Sequence, residues 1–213
     1  MKQTKWLTVA LTAIALLFSA KASAQNARQI LDQTAAILSS GGVQANFVVT
    51  NYKKQTAIGR SSGTFYTSGR RFKIVSASGN SWFDGKTLWS LMDGSDEAYV
   101  STPTKKELQS LNPYAFVHLY KSGYTITSTN ADYLGHASYE VKLKAQKQGM
   151  EINEVLITID KATHLPHCVR FRPSGGEWVR VQVSGVKTGQ KWNDNFFRFD
   201  GKAHSGVRVV DLR

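Results

Sequence analysis

The chain has 213 residues, 41% of them hydrophobic, with 27 Lys and Arg against 15 Asp and Glu, a formal net charge of +12 and a single cysteine, Cys168. That length suits one domain with its own hydrophobic core, and one cysteine excludes an internal disulfide framework, so Cys168 is expected as a buried thiol. The basic balance suits anionic lipid head groups or acidic proteins, but the basic residues are scattered, and an exported chain is a poor candidate for nucleic acid.

Export is read from the first residues. Lys2 and Lys5 precede an apolar run from Trp6 to Ala20, and Ala22-Ser23-Ala24 offers small residues for cleavage, the three-part layout of a secretory signal peptide. The run is shorter than the ~20 apolar residues of a spanning helix, and no Lys/Arg stop-transfer cluster follows. No cysteine near the cut could carry a lipid anchor. Residues 1–24 are therefore a signal peptide cleaved after Ala24, and residues 25–213 are one domain. Removing three lysines with the signal lowers the formal charge from +12 to +9.

The mature chain opens with an amphipathic helix. Asn26 is a plausible N-cap, Ile30, Leu31, Ala35 and Leu38 share one face, and Gly41-Gly42 stops it. From Val43 the period changes to two: Ala45, Phe47 and Val49 alternate with Asn46, Val48 and Thr50, and Gly63, Phe65 and Thr67 follow suit. Short strands continue at 71–77, 81–83, 87–93 and 98–101, with Asp84-Gly85 as a hairpin signal. Thr104 and Glu107 form a capping-box pattern, and Asn112-Pro113 caps a helix from Pro113 to Ser122 that ends at Gly123. That helix carries Tyr114, Phe116, Val117, Leu119 and Tyr120. Being apolar around most of its girth, it must be buried on two sides or cover something greasy. Strands resume after Tyr124, at 136–145, 152–160, 165–172 and 178–186. Phe196 to Phe199, with Val207 and Val209, reads as a last edge strand. About ten short antiparallel strands with an N-terminal helix and a helical insertion predict a mainly β, α+β fold: one large curved sheet with helices across its concave side.

Three motifs suggest chemistry and fail on context. Gly59-Arg60-Ser61-Ser62-Gly63 fits the serine-hydrolase pattern, which needs a strand-to-helix turn, but here strand follows strand. Gly79 to Thr87 approaches a phosphate-binding loop, yet Trp82 and Phe83 stand where backbone amides would have to meet phosphate. His164 and His167, beside Cys168, suggest a metal, but neighbouring residues of a strand point to opposite faces and no acidic cluster completes a ligand set; they are expected as surface or turn histidines, with no metal. No catalytic residues and no cofactor are expected. The aromatic and aliphatic inventory is notable: Phe47, Phe65, Phe72, Trp82, Phe83, Trp89, Leu91, Phe116, Leu119 and Tyr120. These residues can be ordinary core, or they can line a cavity left between an open sheet and its helices.

The order of elements resembles the periplasmic outer-membrane lipoprotein carrier (LolA) family over essentially the whole mature chain. The resemblance rests on the first helix, Gly63-Thr64-Phe65-Tyr66 leading to Arg70-Arg71-Phe72, Phe83-Asp84-Gly85-Lys86-Thr87-Leu88-Trp89, the Asn112-Pro113 helix, and Phe197-Arg198-Phe199 with Gly206-Val207. It implies an unclosed β-barrel with a helical lid and an acyl-chain cavity, here lined by Phe47, Phe65, Phe72, Trp89, Leu91, Phe116, Leu119 and Tyr120. It also implies a monomeric periplasmic carrier that takes acylated lipoproteins from an inner-membrane ATP-driven lipoprotein-releasing complex and passes them to an outer-membrane receptor. Arg70 is the nearest match to the family's lid-holding arginine, without the proline that follows it there. The alternative on the same half-barrel is a regulatory domain that senses a lipid or lipoprotein and signals through a protein partner.

Overall fold

The structure, a computed structural model, describes residues 24–104, 107–108, 115–121 and 123–213. The signal segment before residue 24 and the Asn112-Pro113 cap lie outside the described residues. Helix α1 occupies residues 24–39 and is already formed at residue 24, so Asn26 sits inside the helix and is not its cap. Ala27, Ile30, Leu31, Thr34 and Leu38 form its buried stripe. Thr34 is tolerated there because its hydroxyl donates to the Ile30 carbonyl one turn back at 3.0 Å. No described helix is long and apolar enough to cross a membrane.

Twelve strands follow among the described residues: β1 (Gly42–Lys53), β2 (Thr56–Ser68), β3 (Arg71–Ser76), β4 (Gly79–Phe83), β5 (Leu88–Met92), β6 (Glu97–Ser101), β7 (Tyr124–Tyr133), β8 (His136–Ala145), β9 (Ile152–Asp160), β10 (Pro166–Pro173), β11 (Val179–Gln190) and β12 (Arg208–Asp211). They make one sheet in the order β12-β6-β5-β4-β3-β2-β1-β11-β10-β9-β8-β7. Two meanders, β1 to β6 and β7 to β11, are joined where β1 pairs antiparallel with β11. β7 and β12 remain as the two ends, so the barrel is unclosed, as expected.

Local chemistry sets the joints. The Asp84 carboxylate accepts the backbone N–H groups of Lys86 at 3.0 Å and Thr87 at 2.9 Å, with Gly85 at φ 102°, which builds the β4–β5 hairpin. Thr104 N–H donates to the Glu107 carboxylate at 2.7 Å, and Glu107 N–H to the Thr104 hydroxyl at 3.2 Å, the reciprocal pair that the capping box predicts. Gly42 and Gly63 are among the glycines required by close approach. A Cβ on Gly42 would lie 2.2 Å from the Trp192 ring, and one on Gly63 would lie 2.2 Å from the Val75 carbonyl. Gly59 to Gly63 run inside strand β2, so the serine-hydrolase pattern has no strand-to-helix turn.

The C-terminal expectation is corrected. Asp194–Phe197 is a short 3₁₀ turn capped by Asn193, whose side-chain oxygen accepts from Phe196 N–H at 3.0 Å, and the last strand is β12, parallel to β6. The aromatic residues of 192–199 do not pair as a strand because they pack across the outer face. Trp192 and Phe196 meet Tyr66, and Phe199 meets Trp82.

Candidate functional site

The two faces of the sheet differ sharply. The inner face, which α1 covers, gathers Val43, Ala45, Phe65, Phe72, Phe83, Val141, Leu143, Val155, Ile157, Ile159, Val169, Val181 and Val183 into one buried apolar cluster. Period-two alternation puts these side chains on one side, while their sequence neighbours turn outward. Over the far part of that face lies the 3₁₀ segment Ala115–Lys121, within the helix expected from Pro113 to Ser122, whose Pro113, Tyr114 and Ser122 lie outside the described residues. Phe116 and Val117 are buried against the cluster, and the Phe116 ring meets Phe171 at 4.7 Å.

Among the described residues one hydrogen bond joins this segment to α1. The Tyr120 hydroxyl donates to the Asp32 carboxylate, and the Arg28 guanidinium lies 5.5 Å from the centre of the Tyr120 ring. Burial, together with the hydrogen bond to Asp32, pushes the Tyr120 phenol up to about 12. The neutral phenol is therefore the form that holds the segment down. Sequence reasoning missed Asp32 as the anchor: it follows the inward-facing Leu31 by one position on the exposed side of the helix, and only the fold brings it to Tyr120.

Of the eight residues expected to line a cavity, six share the inner cluster. Phe65, Phe72, Phe116 and Tyr120 are buried in it, and Phe47 and Leu119 pack against it half-buried. Phe65, Phe72 and Phe83 form a run of ring contacts at 6.0 and 5.2 Å. Trp89 and Leu91 are corrected. Phe83 pairs with Leu88, and both belong to the inner cluster, so Trp89, which pairs with Trp82, and Leu91, two residues on, face the other way. Arg70 is exposed in the turn between β2 and β3 and makes no hydrogen bond or ion pair with Ala115–Lys121 among the described residues. The neighbouring Arg71 is the engaged one: it pairs with Asp194 and lies 5.0 Å from the centre of the Phe197 ring.

A concavity of about 650 Å³ opens on the outer face, bordered by Tyr52, Lys54, Arg170, Arg172, Trp178 and Arg180. Its cations and their carboxylate partners, such as Glu154 with Arg172 at 3.3 Å, do not suit an acyl chain. The histidine reading also changes. Between Pro166 and Cys168 the register of β10 is irregular, and Tyr133 stacks on His167 while hydrogen-bonding Cys168, so strict alternation does not separate the two. His167 meets Asp160 and His136, which the sequence reading did not link to it. Cys168 is buried, as expected, and burial raises its thiol pKa.

An unclosed, mostly antiparallel sheet whose apolar inner face is covered, among the described residues, by an N-terminal helix and a short 3₁₀ segment defines an α+β half-barrel. The chain belongs to the outer membrane lipoprotein carrier protein LolA family, whose sequence model matches residues 17–175. No curated protein matches the chain by sequence. Among solved structures, an uncharacterized conserved protein from Thermus thermophilus is similar at a TM-score of 0.58 and 14% identity, over 87% of this chain and 99% of that one. A DUF1329 family protein from Desulfovibrio piger gives 0.51 at 9% identity, over 87% and 99%. A LolA superfamily protein from Nitrosomonas europaea gives 0.43 at 12% identity, over 83% and 98%.

Proposed function

We propose that this protein is a periplasmic carrier that receives the acyl chains of lipoproteins against the inner face of its sheet and shuttles them from the inner to the outer membrane. Its partners in that role are an inner-membrane ATP-driven releasing complex and an outer-membrane receptor. The observation that carries the reading is the cover over the inner face. Residues 115–121 rest on a wholly apolar cluster and, among the described residues, are tied to α1 by one hydrogen bond, Tyr120 to Asp32. Opening that cover exposes apolar side chains without stranding a buried charge, and an acyl chain can take its place. Each buried methylene contributes about 0.8 kcal/mol, so ten of them offset about 8 kcal/mol of opening and ordering cost. Apolar contact is non-directional, which keeps the cargo transferable.

The test is native mass spectrometry of the mature protein with a purified triacylated lipoprotein, alongside Leu119→Glu. Leu119 is half-buried, so the substitution charges the cover without carving into the core. A one-to-one complex is expected for the wild type and is lost in Leu119→Glu at an unchanged melting temperature. Absence of any complex with acylated cargo would make the inner face ordinary core. Release of lipoprotein from inner-membrane vesicles then separates transport from sensing: a protein that binds but does not release cargo is a regulator.

A further inference from the structure

On the outer face, three ligand-type side chains converge where the β7–β8 turn meets the β9–β10 turn. One oxygen of Asp160, Oδ2, stands 3.2 Å from His167 Nε2 and 3.5 Å from His136 Nδ1. All three ligand atoms lie within 4.8 Å of one another. The other carboxylate oxygen, Oδ1, is fully engaged: it accepts the Ala162 N–H at 2.9 Å, the Thr163 N–H at 2.7 Å and the Thr163 hydroxyl at 3.0 Å. Asp160 is thus pinned, 6% exposed, with its free oxygen aimed between two imidazoles. Tyr133 fixes the His167 ring by stacking at 5.7 Å and an interplanar angle of 15°, and the Tyr133 hydroxyl is itself held by Gln182 at 3.0 Å. The nearest lysine in sequence, Lys161, has its ammonium on Asn130 at 2.8 Å and 5.0 Å from the centre of the Tyr139 ring.

We propose that His136, Asp160 and His167 form a binding site for a divalent transition-metal ion, with zinc the fitting ion. Zinc binds imidazole nitrogen and carboxylate oxygen at about 2.0–2.2 Å in a tetrahedron, which sets ligand atoms roughly 3.3 Å apart. Two of the three edges already have that length, and the third closes by a small rotation of His136, the exposed member of the trio. Two neutral imidazoles and one carboxylate give a singly negative mixed N/O set that suits zinc better than calcium or magnesium, which prefer all-oxygen shells. The engaged Oδ1 and the stacked His167 supply the outer-shell support that metal ligands commonly have. The fourth position opens to solvent beside His136 and takes water or a donor from a partner. The bound ion clips the turn of the edge hairpin to the β9–β10 turn.

The proposal is tested by isothermal titration of zinc chloride into the tag-free mature protein, with His136→Ala, His167→Ala and, as a control outside the site, His204→Ala. One zinc per chain is expected for the wild type and for His204→Ala, with at least a tenfold loss of affinity in each of the other two. Zinc should also raise the melting temperature of the wild type and His204→Ala, and not of the other two, since an ion bound only by the folded state stabilises it. Wild-type protein that takes up no zinc, or affinity unaltered in His136→Ala or His167→Ala, overturns the site. Circular dichroism of each variant keeps a folding failure from being read as lost binding.

Discussion

The sheet carries a cover on each face, and the two are held in opposite ways. Among the described residues, 115–121 lie over the inner face on apolar contacts and one hydrogen bond to α1, Tyr120 to Asp32. Residues 191–207 lie over the outer face of β2 to β4 with many unlike ties. Asp194 pairs with Arg71, Arg198 meets Asp84 at 3.2 Å, Lys73 lies 4.7 Å from the centre of the Phe196 ring, and Phe197 is completely buried. Polar and charged ties demand one geometry, whereas apolar contact tolerates exchange of one greasy partner for another. In the proposed function the inner cover is the one that is replaced and the outer one stays.

The largest expected effect is Phe197→Ala. Its side chain has no exposure, so removal should cost about 3–5 kcal/mol in chemical denaturation while leaving lipoprotein affinity in the surviving folded protein unchanged. Phe116→Ala removes a ring of the same size from under the inner cover. It should cost less than about 2 kcal/mol, because the segment opens locally, and should weaken lipoprotein binding at least tenfold. Equal costs for the two phenylalanines would break the contrast between the covers. Tyr120→Phe removes the single polar tie, and a loss of about 1 kcal/mol, with faster amide exchange at 115–121, is expected.

Alkaline titration addresses the same tie. The phenol is raised from the usual value of about 10 to about 12 in the folded protein, so its contribution is complete below pH ~10 and fades as pH rises towards 12. Tyr120→Phe should lack that part of the alkaline loss in a denaturation series. The smallest effect belongs to Asp194→Asn. The Asp194 carboxylate is largely exposed, so less than about 1 kcal/mol is at stake despite the pairing with Arg71.

The alternation of Tyr139, Val141 and Leu143 with Glu140, Lys142 and Lys144 made β8 and its buried face legible in the sequence, and Asp84-Gly85 made the β4–β5 hairpin legible. Those signals are local, and local signals carried the single large sheet and most of the inner cluster, while the family resemblance implied that the barrel is unclosed. Trp89 and Leu91 were misplaced because hydrophobicity alone does not tell the inner face from an outer face that the chain itself later covers. The strap that covers part of that outer face, over Tyr66 and Trp82, begins about a hundred residues further on. Pairing Phe83 with Leu88 across the Asp84-Gly85 turn sets Leu88 inward and Trp89 outward. The tie from Tyr120 to Asp32 and the meeting of His136 with His167 join distant segments. No spacing in the sequence encodes them.

The central claim, that acyl chains displace the inner cover, is tested most directly by amide hydrogen exchange with and without a bound triacylated lipoprotein. The account predicts changed protection in α1, in 115–121 and in the inner-face strands, with 191–207 unaffected. Unchanged exchange at α1 and 115–121, or a change centred on 191–207, would contradict it.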